Sequence, residues 1–168
     1  MRTMLIILCT LAILIYGCEK KEDSDSEFIL NNNLQSGLLI SGFSFTKMNI
    51  ITFPNSEDII PDFCVGCFID ESGVITKGPF LWHQNSENRF ALINSYDNKI
   101  SAQNHFDTIS MICDKPYQTL TDIKSSEIWQ IKTSTDEIGV ILILEAKAEN
   151  VEGSGFAEIK FKAKKLLP

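Results

Sequence analysis

Few residues of this 168-residue chain carry side chains suited to chemistry. His83 and His105 are its only imidazoles, too little material for histidine-based catalysis or a multi-histidine metal site. Cys64-Val65-Gly66-Cys67 holds two thiols with a two-residue spacer, and Cys113 follows far along the chain. Buried free thiols, one disulfide between Cys113 and Cys64 or Cys67, a Cys₃His zinc site and a redox pair are all open to them. In an extended strand two residues three apart point to opposite faces, so one metal takes both thiols only if the chain bends at Gly66. Glu57-Asp58 and Asp70-Glu71 read as turn acids, without the spacing of a calcium loop. There is no nucleophile elbow, no zinc-protease helix and no phosphate-binding glycine loop. A non-catalytic role is therefore expected. Trp82, placed by the sequence in a polar loop with His83, Gln84 and Asn85, is the aromatic most suited to touching a ligand.

Composition narrows the classes further. The chain is 44% hydrophobic and 22% charged, as in a globular domain. A net charge of −7 argues against a nucleic-acid partner, which calls for a basic face.

The amino terminus defines a compartment. Met1-Arg2-Thr3 carries a positive charge and precedes an uncharged run from Met4 to Tyr16. Those 13 residues would make a helix of about 20 Å, short of a hydrocarbon core of about 30 Å. The run suits the core of an export signal instead. It ends at Ile15-Tyr16-Gly17-Cys18. An aliphatic residue three before a cysteine and a small one just before it is similar to the signal of bacterial lipoproteins. That resemblance implies cleavage between Gly17 and Cys18, and diacylglyceryl attachment to the Cys18 sulfur followed by acylation of the new amino terminus. Several acyl chains, at about 0.8 kcal/mol per buried CH₂, hold a protein on a bilayer where one does not.

Residues 1–17 are thus expected to be a signal peptide and 18–27 a lipidated acidic tether, with Glu19, Glu22, Asp23, Asp25 and Glu27 against two lysines. Lys21-Glu22-Asp23 resembles the export tag of Bacteroidota lipoproteins, which implies the outer face of the outer membrane. A plain charged linker facing the periplasm is the alternative.

The elements that must position the candidate residues read as strands. Residues 28–168 are expected to form a single mostly β domain, an antiparallel sandwich or meander with one short helix near 101–107. Runs at Leu38–Ile40, Phe43–Phe45, Met48–Phe53, Phe63–Ile69 and Arg89–Ile93 are broken by turn residues. Ser101 is the expected helix cap, and a short turn is expected around Leu120–Ser125. Glu127–Thr133 alternates, Ile138–Leu144 is apolar on both faces, and Asn150–Gly155 reads as a loop. In the last strand Ala157, Ile159, Phe161 and Ala163 oppose Glu158, Lys160 and Lys162, with the lysines suited to a sheet edge.

The block from Glu127-Ile128-Trp129 through Gly155-Phe156-Ala157-Glu158-Ile159-Lys160-Phe161 resembles the closing meander of small Bacteroidota surface lipoproteins, among them the HmuY-like haem-binding group. The resemblance implies an all-β fold and, as an alternative to a plain ligand- or partner-binding module, haem held between His83 and His105 with Trp82 and Phe106 against the porphyrin. No other cofactor is expected, and the partner is an unidentified small molecule or envelope protein. An envelope hydrolase is the remaining alternative.

Overall fold

The computed structural model describes residues 26–33, 39–85, 87, 89–133 and 135–166. Export signal, Cys18 and almost all of the tether lie outside these residues. The described chain is mostly β, as expected from its sequence. It forms β1 (Glu27–Asn31), β2 (Ile40–Ser44), β3 (Asn49–Phe53), β4 (Cys64–Ile69), β5 (Ile75–Trp82), β6 (Phe90–Ser95), α1 (Lys99–Thr108), β7 (Leu120–Asp122), β8 (Glu127–Lys132), β9 (Ile138–Val151) and β10 (Ser154–Leu166). No helix among the described residues is long and apolar enough to cross a membrane.

All strand pairs are antiparallel. The main sheet has the order β1-β10-β9-β8-β6, and two smaller sheets have the orders β2-β3 and β4-β5-β7. A bridge between Phe43 and Phe63 ties the small sheets together. They cover one face of the main sheet, which α1 covers on the other. Alternation sorts the side chains between these layers. Ile141 and Ile143 of β9, with Trp129 and Ile131 of β8, enter the core against Phe43, Phe63, Val65 and Leu81. Val140, Leu142 and Ile128 face Ala102 and Phe106 of α1. The apolar run in β9 is therefore a strand buried on both faces. Phe43 anchors the larger core, its ring centroid 4.8 to 5.5 Å from those of Phe28, Phe45, Phe63 and Phe161.

Several boundaries differ from expectation. β10 does not lie at an edge, because β1 pairs with it from Glu27↔Lys162 to Asn31↔Glu158. Glu27, the last residue of the expected tether, is already strand and pairs with Lys160 at 2.5 Å. Of the β10 lysines, Lys160 pairs with Glu27 and Lys165 with Glu137, while Lys164 lies over the Phe106 ring of α1 and donates to the Phe106 carbonyl. Asn98, rather than Ser101, caps α1, accepting the Ser101 N–H at 2.8 Å. The loop expected at 150–155 is confined to a two-residue hairpin turn, with Asn150 and Val151 still in β9 and Ser154 and Gly155 already in β10. Val151 pairs with Ser154, while Glu152 (φ 52°) and Gly153 (φ 84°) supply the left-handed turn. Leu120–Asp122, expected as a turn, pairs with β5 as β7.

Candidate functional site

β4, β5 and β7 position the site. Cys64 pairs with Trp82 and Gly66 with Phe80, and Trp82 pairs in turn with Leu120. The register then slips, so that Phe68 faces Lys77 and Cys67 lies opposite the extra residues of β5. Gly78 makes that bulge possible: its φ is +114°, and a Cβ there would stand 2.7 Å from the Cβ of Cys67. Below the bulge opens a cleft of about 410 Å³. Phe68, Phe80, Trp82, Leu120, Val65 and Cys67 give it an apolar lining, joined by Asn32, Gly66, His83 and Thr119. Among the described residues no Asp, Glu, Lys or Arg lines it. The Phe68 and Phe80 rings pack at 4.7 Å, with Phe80 buried and Phe68 half open to solvent.

Trp82 and His83, nominated from the sequence as loop residues, both line this cleft. Trp82 is the last residue of β5 and half-buried, and its indole N–H has no acceptor among the described residues. His83 is only 2% exposed, not a surface loop residue. Its Nδ1 accepts the Asn85 backbone N–H at 3.1 Å. Burial holds its pKa below the usual imidazole value, and the nearby Arg89 cation lowers it further. The neutral ring therefore carries its proton on Nε2, which is buried with no hydrogen-bond partner among the described residues. Leaving such a donor unpaired costs about 1–3 kcal/mol, an unusual feature for an otherwise well-packed strand end.

His105 belongs elsewhere. It lies on α1, where its Nδ1 hydrogen-bonds the Tyr96 hydroxyl. α1 packs on the Val140 and Leu142 face of the main sheet, whereas Leu81, next to Trp82 in β5, packs with Ile141 and Ile143 on the other. The main sheet thus stands between the two imidazoles, and the structure does not bring them together as a pair of axial ligands.

The thiols are separated in the same way. Cys64, Cys67 and Cys113 are all free, so of the readings open to them the possible Cys64–Cys113 bond is not formed. Cys113 is held on the helix side of the main sheet. There the buried Gln130 amide accepts its N–H at 2.7 Å and donates to its carbonyl at 3.1 Å, as a neighbouring strand would. Cys64 lies in β4, in the opposite layer. Burial pushes its thiol pKa up to about 12, and the Cys67 thiol is raised for the same reason. Among the described residues no cluster of three or more His, Cys, Asp or Glu is placed to hold a metal ion. The acidic turns behave as such: Asp70 accepts the Ser72 and Val74 N–H groups, both at 2.9 Å, and Glu57 pairs with Lys47.

Phe68, Phe80, Leu120 and Asn32 were not singled out by sequence reasoning. The alternation that would have marked β5 is broken at Gly78-Pro79, the residues that make the bulge. No protein-family model, curated protein or solved structure matches the chain.

Proposed function

We propose that this chain is a lipid-anchored envelope lipoprotein that binds a small molecule without transforming it, in the cleft beside Trp82 and His83. The anchor rests on the sequence: the short apolar leader ending at Gly17-Cys18 and the acidic tether that follows. On the same reading the domain sits at the outer membrane, facing outward by virtue of Lys21-Glu22-Asp23. Its partners are the bilayer, through the lipid on Cys18, and a small molecule, and nucleic acid is not one of them.

One observation carries the binding assignment. An apolar cleft of ligand size, with no charged side chain among the described residues that line it, has in its wall a buried imidazole whose Nε2 is unpaired among the described residues. Cys67 beside it is a free thiol whose pKa burial raises, which does not suit a nucleophile, and among the described residues no carboxylate lines the cleft. Those features favour binding over catalysis.

Nile red, a neutral dye that brightens in apolar surroundings, tests the assignment. Saturable one-site fluorescence enhancement is expected, and Leu120→Trp, which fills the cleft, should abolish it. Absence of saturable enhancement, or enhancement indifferent to that substitution, contradicts the assignment.

A further inference from the structure

We infer that the ligand of this cleft is a neutral, largely apolar molecule bearing a hydrogen-bond acceptor oxygen such as a ketone or amide carbonyl. This rests on the cleft being a binding site. Two independent features define the class. First, the lining holds no charged side chain among the described residues, and His83 is neutral at physiological pH, so a carboxylate, phosphate or ammonium would be stripped of water with no counter-charge to meet it. Second, the unused polar capacity consists of donors. The Trp82 indole offers only N–H. His83 has its Nδ1 occupied by the Asn85 N–H, which leaves Nε2–H as its remaining polar group. A purely apolar ligand would cut the Trp82 N–H off from solvent and leave the already buried Nε2–H of His83 unpaired, and a ligand with only donors would oppose both.

A carbonyl oxygen complements these groups. A ligand that buries an apolar body between Phe80 and Trp82 brings its oxygen along with its own burial energy. An aromatic body suits a wall made of Phe68, Phe80 and Trp82.

Three probes of one shape separate the terms when titrated by calorimetry into the full chain: 2-acetylnaphthalene, 2-ethylnaphthalene and 2-naphthoate. The ketone is expected to bind at least about tenfold more tightly than the hydrocarbon or the anion, the scale of one good hydrogen bond. Trp82→Phe and His83→Phe should each narrow the gap between ketone and hydrocarbon while retaining hydrocarbon binding. The comparison of the three probes on the unsubstituted protein stands even if a variant fails to fold. Equal affinities, or preference for the hydrocarbon or the anion, overturn the ligand class and leave the binding cleft in place. No heat from any probe, together with unchanged tryptophan fluorescence, removes the cleft as a binding site and the inference with it.

Discussion

The backbone N–H of Asn85 donates to Nδ1 of His83 across 3.1 Å, and this one bond sets the tautomer of the ring. It turns a histidine that the sequence presents as a loop residue into a buried donor beside a cleft. Because burial and Arg89 both lower the pKa of that ring, stability acquires a pH dependence. The unfolded imidazole titrates near ~6.5 and the folded one below that. As pH falls through the unfolded value, the unfolded state takes up the proton first, so the contribution is fully present above that pH and lost below it. Urea unfolding at pH 7.5 and pH 5 should show lower stability at pH 5, with a smaller drop in His83→Phe. An identical drop in the variant would mean that other groups carry the acid sensitivity.

Phe45 and Gly139 make a second, purely steric relationship. A Cβ on Gly139 would lie 2.2 Å from atoms of the Phe45 ring, which is wholly buried. Asp62 holds the Phe45 backbone N–H at 2.7 Å, so the ring cannot retreat freely. Gly139→Ala should destabilise the domain by about 1–3 kcal/mol, as overpacking does. Chemical denaturation measures this, and an unchanged midpoint would mean that the ring does not rest on Gly139.

Thiol labelling checks the separation of the cysteines. In the folded protein at pH 8, Cys64 should resist iodoacetamide, since it is buried and its thiol is held up to about 12. Peptide mass mapping should find Cys64 labelled only after denaturation, and without prior reduction. A requirement for reductant would reveal a disulfide that the structure does not contain.

Legibility of the fold tracked how local its determinants are. β8, the buried part of β9 and β10 could be read from alternation in Trp129 and Ile131, from the continuous run at Ile138–Leu144, and from Ala157 through Ala163. β5 could not, because Gly78-Pro79 interrupts its pattern just where the bulge opens the cleft. The edge position expected for β10 failed for a different reason: its neighbour β1 lies more than 120 residues earlier, and no local pattern reports such a pairing. Trp82 and His83 were picked out by residue type, yet their partial and full burial follow from strand pairing and the Asn85 contact. The separation of His83 from His105, and of Cys64 from Cys113, depends on which face of the main sheet each segment covers. That is a property of the tertiary arrangement alone.

The anchor has its own test. Intact mass analysis of the protein from native membranes should give a chain beginning at Cys18 with diacylglyceryl and acyl additions. A chain that retains Met1 and an unmodified Cys18 would rule out the lipid attachment while leaving the cleft untouched.

The most direct measurement of the cleft is a long-range ¹H–¹⁵N correlation spectrum of the imidazoles at pH 7, with and without saturating 2-acetylnaphthalene. His83 should show the neutral tautomer protonated on Nε2 in the free protein, and its Nε2 resonance should move on addition of the ketone. A proton on Nδ1, or an Nε2 signal unmoved by saturating ketone, would contradict the account.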